Sequence, residues 1–167
     1  MTSYNYGLRN CTSALKAAEP HIAGAAVSNW REMKQPIQLL VVDTDLNFWD
    51  NCIALRARGL PMNITVCDSR SAMTQFDVVP PDLVLLEIVM PETDGLELLS
   101  IIKRHHPGTR VIAVSGGGTC LPRDIVLRWA SRLGADAVLP KPFDCTELEK
   151  ALRTVLCSQP QTRPPRE

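Results

Sequence analysis

No apolar run in the 167 residues approaches the roughly 18 residues that a membrane-crossing helix needs, so nothing in the sequence reads as a span. No basic segment precedes the one weakly apolar stretch near the start, residues 22–27, and a secretory leader is not expected. Charge of either sign is not in excess: 18 Lys and Arg balance 18 Asp and Glu, and no global field draws the chain to nucleic acid or anionic lipid. Six cysteines are present (Cys11, Cys52, Cys67, Cys120, Cys145 and Cys157), but they form no Cys-x-x-Cys pair and no Cys/His metal spacing. They read as free thiols of a cytoplasmic protein, with a disulfide framework the lesser alternative. The Gly116-Gly117-Gly118 run lacks the Lys-Ser/Thr ending of a nucleotide-phosphate cradle, and a plain loop is the simpler reading.

What the sequence does contain is organised around residues 82–98, DLVLLEIVMPETDGLEL. Residues 83–86 are continuously apolar after the Pro80-Pro81 break and predict a strand buried on both faces. Glu87 ends that run. A carboxylate is costly inside an apolar sheet but is tolerated where a parallel strand stops and a crevice opens, which makes Glu87 a candidate site residue. Met90-Pro91 predicts the turn, and Asp94 with Glu97 has the spacing of a capping box that opens a helix.

Four further strands are predicted over residues 37–42, 62–67, 110–114 and 136–139. The second of these alternates enough for a sheet edge. Helices are predicted over residues 46–58, closed by Gly59, from a Ser69 cap to about residue 76, and over 95–106 with a stripe of Leu96, Leu98, Leu99, Ile101 and Ile102. A fourth follows Pro122 with Val126, Trp129, Ala130 and Leu133 facing inward and Gly134 as its stop; a fifth opens on Asp144 and Glu147 and buries Leu148, Ala151, Leu152, Val155 and Leu156. Strands alternating with helices predict an α/β domain, a flavodoxin-like (βα)5 three-layer sandwich with parallel strand order 2-1-3-4-5. The domain is expected over residues 36–157, after an N-terminal extension over 1–35 without sustained period and before a polar, Pro-rich tail over 158–167 expected to be disordered. Met33, just before the first strand, is a candidate translation start that N-terminal sequencing would test.

The strand, the acid, the Met-Pro turn and the Asp-Gly helix start resemble the signature of response-regulator receiver domains, the CheY-like switch modules of two-component phosphorelay signalling, over residues 37–156. The chain resembles the stand-alone members of that family, being short for a receiver joined to a DNA-binding output domain. The resemblance makes position 87 the equivalent of the phosphoacceptor aspartate, here a glutamate. It aligns Asp43 and Thr44 with the acidic pair that holds Mg²⁺, with Thr44 at the more direct ligand position; Asp45 is adjacent but reads as a helix cap. Ser115 and Lys141 match the hydroxyl and the lysine that contact the phosphoryl group, and the Lys141–Pro142 bond is expected to be cis. Val138 stands where many receivers carry the switch aromatic.

The departures have a common physical direction. The usual site sets three carboxylates against one lysine, a charge of about −2 that invites a divalent cation; Asp43 and Glu87 against Lys141 leave about −1. Metal is therefore not expected to be required, and Asp43 is the ligand if Mg²⁺ binds. Glu87 reaches roughly 1.5 Å farther than Asp, toward Lys141 and Ser115, and predicts a direct ion pair in place of the phosphorylated arrangement. The expected function is an atypical receiver that acts by protein contact without phosphorylation, is not an enzyme and needs no cofactor. The partner is expected to be a histidine kinase, another regulator or an effector. The expected partner surface is the last two helices and fifth strand, marked by Arg128, Arg132, Lys150 and Arg153. The alternatives are a phosphorylation-competent switch and a small flavodoxin-like cofactor-binding enzyme, with nucleic acid and membrane disfavoured by charge and hydropathy. His105 and His106 are about 100° apart on a helix and favour its C-terminal dipole rather than a shared metal.

Overall fold

The computed structural model describes residues 35–43, 51, 54–55, 58–91, 93–118 and 121–157. Five strands, β1 (Ile37–Val42), β2 (Met62–Cys67), β3 (Leu83–Glu87), β4 (Arg110–Ser115) and β5 (Ala137–Pro140), form one parallel sheet in the order β2-β1-β3-β4-β5. Four helices are assigned among the described residues: α1 (Ala72–Val78), α2 (Gly95–His105), α3 (Arg123–Leu133) and α4 (Cys145–Cys157). The expected architecture and strand order are those observed. The helix expected over residues 46–58 falls largely outside the described residues, although Leu55 within it is fully buried. Residues 1–34 and 158–167, read above as extension and tail, also lie outside them, as do Thr44 and Asp45.

Strand alternation divides the core in two. Ile37, Leu39 and Val41 of β1, Leu83 and Leu85 of β3, and Ile112 and Val114 of β4 face a cluster completed by Leu148, Leu152, Val155 and Leu156 of α4. The intervening Leu40, Val42, Val84, Leu86, Val111 and Ala113 face Phe76 of α1, Leu98, Leu99 and Ile102 of α2, and Val126 and Ala130 of α3. A strand covered on both faces has no polar face to show, and this is why residues 39–42 of β1, 83–86 of β3 and 111–114 of β4 read as unbroken apolar runs. Each fully buried Leu or Ile contributes roughly 1.5–3 kcal/mol, so the paired clusters dominate the stability of the sheet.

Local chemistry sets the helix ends. Asp94 accepts from the Leu96 amide at 2.8 Å. Asp144 accepts from the Thr146 and Glu147 amides at 2.8 Å each while Glu147 accepts from the Asp144 amide at 3.0 Å, which completes the expected capping box. Gly134 ends α3 in the left-handed region at φ 105°. Ser69 does not cap α1: that helix starts at Ala72, and the Ser69 hydroxyl instead bonds the Thr93 hydroxyl at 2.8 Å. Asp68, accepting from the Ser71 amide at 2.8 Å, supplies the turn before the helix. Of the inward positions expected on α3, Val126 and Ala130 are buried, but Trp129 and Leu133 are 41% and 38% exposed and Leu127 takes the third core place. Trp129 and Leu133 each follow a buried residue, Val126 and Ala130, by three positions, which sets them about 60° round the helix from it and off a narrow core stripe.

His106 closes α2 and packs on Phe76 with ring centroids 4.2 Å apart. Burial, reinforced by the neighbouring His105, lowers its pKa below the ordinary imidazole value, with Asp77 acting weakly the other way. A depressed histidine binds its proton more readily in the unfolded chain. Its contribution is therefore present above the unfolded value near 6.5 and is lost as pH falls through the folded value. His106→Phe should flatten the loss of stability between about pH 7 and pH 5 in urea titrations, and an unchanged slope would exclude His106 as its source.

Candidate functional site

The strand order reverses direction between β1 and β3, and a crevice opens there past the carboxyl ends of the strands. Asp43 leaves the end of β1, Glu87 is the last residue of β3, and Lys141 follows β5. All three continue the alternation that faces the α4 side, the parity of Val41, Leu85 and Leu139. Residues 98 positions apart thus meet: Lys141 Nζ lies 2.8 Å from Asp43 Oδ2 and 2.6 Å from Glu87 Oε2. The carboxylate side chains are 5% and 7% exposed and the lysine 21%, so one ammonium is held between two nearly buried carboxylates. The ion pair expected between Glu87 and Lys141 is the one found.

Burial works to lower the Lys141 pKa, but the hydrogen bonds it donates to Asp43 and Glu87, with their charges, outweigh burial and leave the ammonium above its ordinary value. The other Glu87 oxygen, Oε1, accepts from the Val89 amide at 3.2 Å. Glu87 is therefore fixed at both oxygens. The backbone of Lys141 is held as firmly: its amide donates to the Ser115 carbonyl at 2.8 Å, and its carbonyl accepts from Arg123 Nη1 at 3.1 Å. The Lys141–Pro142 peptide bond is cis.

Ser115 is fully buried at the rim of the same crevice, but it does not join the triad. Its hydroxyl oxygen accepts from the Gly117 amide at 3.1 Å, and it carries the opposite strand parity. Of the two side chains toward which Glu87 was expected to reach, Lys141 and Ser115, it bonds Lys141. Val138 shares the parity of Ala113, on the α3 side of the sheet, and is 38% exposed at the edge strand. Arg128, Arg132, Lys150 and Arg153 are all exposed on α3 and α4. Arg153 is engaged with Glu149 at 2.7 Å, and Arg58 bonds the same carboxylate at 2.9 Å. Among the described residues no three His, Cys, Asp or Glu side chains gather where they could hold a metal ion. Cys67, Cys145 and Cys157 are free thiols, and burial first, then Asp68, pushes the Cys67 thiol up to about 11.

Gly95, Val89 and Arg123 support the site without having been singled out as site residues. A Cβ at Gly95 would lie 2.6 Å from the Ile88 Cα and carbonyl oxygen and 2.7 Å from the Glu87 carbonyl oxygen, so α2 starts directly against the backbone that carries Glu87. Gly117, at φ 87°, brings its loop to the first turn of α3, where a Cβ would meet the Arg123 amide nitrogen at 3.0 Å. The Asp-Gly pair was the one signal of the first contact. Val89 acts through its backbone, and Arg123 reads in sequence as an ordinary surface charge.

Comparison with known proteins agrees with this geometry. The model of the response regulator receiver domain matches residues 39–153. The transcriptional regulatory proteins TrcR and TcrA of Mycobacterium tuberculosis are each 32% identical, over 124 and 133 residues that cover 72% and 77% of this chain and 46% and 49% of theirs. The chain thus spans about half the length of these curated relatives. The receiver domain of NtrX from Brucella abortus superimposes with a TM-score of 0.61 at 30% identity, covering 72% of this chain and 99% of that one. A CheY-like receiver from Methanospirillum hungatei shares the fold, with a TM-score of 0.62 at 24% identity over 73% of this chain and 94% of its own. No helix among the described residues is long and apolar enough to cross a membrane. With its sheet order, its acid-bearing β3 end and its cis Lys-Pro turn, the chain belongs to the response-regulator receiver domain family of two-component signalling.

Proposed function

We propose that this receiver works by protein contact without accepting phosphate at position 87. One observation carries the reading: Lys141 Nζ already bridges Asp43 and Glu87, at 2.8 and 2.6 Å. Phosphoryl transfer to a carboxylate needs that carboxylate free to attack and a cation to screen the incoming oxygens. Here the acceptor-equivalent oxygen is an ion-pair partner, and the fixed ammonium stands between the two described carboxylates. The triad has a charge of about −1 and is satisfied without added metal. Glu87 supplies one charge and two oxygens where a phosphoryl group supplies nearly two charges and three, so it holds one conformer rather than reproducing the phosphorylated state. Val138, with no aromatic ring to swing, is consistent with a conformer that does not switch.

Receivers are signalling modules that meet histidine kinases and effector domains. For this chain we place the contact on α3, β5 and α4, with Arg128, Arg132, Lys150 and Arg153 on that surface. The test is amide NMR of the wild type and Glu87→Asp, each titrated with Mg²⁺ and then beryllofluoride, a phosphoryl mimic that binds an acceptor carboxylate. The wild-type Ser115 and Lys141 amides should stay unmoved at millimolar Mg²⁺ with the mimic. A responsive Asp variant would assign the loss to Glu87 alone; a silent one would assign it also to the rest of the pocket. Wild-type shifts at those amides would overturn the proposal.

A further inference from the structure

β2 is one end of the sheet, and its outer edge is open. The Ile37 amide donates to the Pro61 carbonyl at 2.9 Å, and Ile37 lies opposite Met62 in the parallel register. Successive residues of a strand turn their main-chain polar groups to opposite sides, so Pro61, Asn63, Thr65 and Cys67 serve β1 while Met62, Ile64 and Val66 point outward. Among the described residues no strand or loop bonds those outward groups. Sheet edges are ordinarily blunted by charge, proline, a bulge or shortness. β2 uses none of these: its six residues, MNITVC, carry no charge and no proline, and its register with β1 runs without a bulge from Met62 to Cys67. Val78 and Val79, 69% and 52% exposed, line one hollow with Asn63 and Thr65 beside this edge.

We infer that β2 pairs with β2 of a second copy, antiparallel about a two-fold axis at Ile64, and joins two five-stranded sheets into one. The outward set of Met62, Ile64 and Val66 is symmetric about Ile64, and this selects the register. Ile64 meets the second copy's Ile64 and Met62 meets its Val66, each pair exchanging both N–H···O bonds, so no outward group of the strand is left over. Asn63 then lies opposite the second copy's Thr65 on the α1 face, with Cα atoms about 4.5 Å apart, where amide and hydroxyl can bond. A partner chosen by charge would find nothing to read on this strand, whereas the strand matches its own image and has no charge to repel it. Val78 and Val79 add apolar surface on both sides of the axis. β5 is the opposite edge of the sheet, so the contact leaves the α3, β5 and α4 surface free and holds whether or not position 87 accepts phosphate. An interface of one strand and its flanks is small, and the dimer is expected to dissociate on dilution.

Amide hydrogen exchange of the whole chain, read with sedimentation velocity over a range of concentrations, tests it. Concentrated samples should be dimeric, and in them the Met62, Ile64 and Val66 amides should exchange at least about tenfold more slowly than in dilute ones. Asn63 and Thr65 are both exposed, so charge can be placed there without disturbing the core. Asn63→Lys with Thr65→Lys sets lysine against lysine across the axis and should give a monomer, as should Asn63→Glu with Thr65→Glu. Mixing these two variants should restore both the dimer and the slow exchange. Unchanged Leu85 and Val114 amides are the control for folding. A chain monomeric at every concentration would overturn the inference, as would a dimer that leaves the three outward amides fast or that survives the lysine variant. A mixture of the two variants that stays monomeric would overturn it too, and so would outward amides that are slow in the monomer because another segment of the same chain covers the edge.

Discussion

Lys141→Met should lower the unfolding free energy by about 3 kcal/mol at pH 7, the low end of the cost of breaking a buried ion pair, because a fifth of the lysine side chain stays exposed. The loss comes less from the missing attraction than from what remains: Asp43 and Glu87, both nearly buried, would face one another without the ammonium between them. The pair Lys141→Met and Glu87→Gln should therefore be less destabilised than the sum of the single variants, since removing one carboxylate relieves the repulsion. A double-mutant cycle in urea measures this coupling, and strictly additive losses would mean that the contact contributes nothing to stability. The sign with pH is fixed by the raised lysine. The folded chain holds that proton more tightly than the unfolded chain, so its contribution is complete below about pH 10.5 and fades as pH rises through the folded value. Lys141→Met should abolish that alkaline loss.

Gly95→Ala is expected to cost about 2–3 kcal/mol, although alanine is intrinsically the better helix former by about 1 kcal/mol. The added methyl would lie 2.6 Å from two backbone atoms of Ile88 and 2.7 Å from the Glu87 carbonyl, none of which can turn aside as a side chain would. Either α2 moves away from the sheet or the end of β3 moves. Both routes strain the bond from the Gly95 amide to the Ile88 carbonyl, 3.1 Å long, and the placement of Glu87 with it. Denaturant unfolding gives the cost, and the Lys141 ammonium resonance reports whether the triad has shifted. A variant as stable as the wild type would mean that the approach of α2 to β3 is looser than the geometry requires.

Much of the fold was legible because it is written locally. Continuous apolar runs marked β1, β3 and β4 as strands covered on both faces; the Asp144-Glu147 box and Gly134 marked helix ends, because caps are satisfied within a few residues. Ser69 misled because a hydroxyl before a helix can bond either the helix or a neighbouring loop, and only the loop carrying Thr93 decides which. Trp129 and Leu133 misled for a similar reason. Periodicity marks an apolar stripe, but the width of the core that receives it is set by the neighbouring helix and sheet.

At the site the division is sharper. The sequence by itself determined which residue types stand at the ends of β1, β3, β4 and β5, and from the extra methylene of Glu87 that the acid would reach toward Lys141. Only the tertiary structure decided that one ammonium serves two carboxylates at once and that the Ser115 hydroxyl accepts from Gly117 and stays out of the triad. It also decided that Gly95 admits no side chain. The reason is physical: propensity, alternation and capping act over a few residues, whereas a charge finds its partner, and a backbone its closest neighbour, only once parallel strands bring distant segments into register.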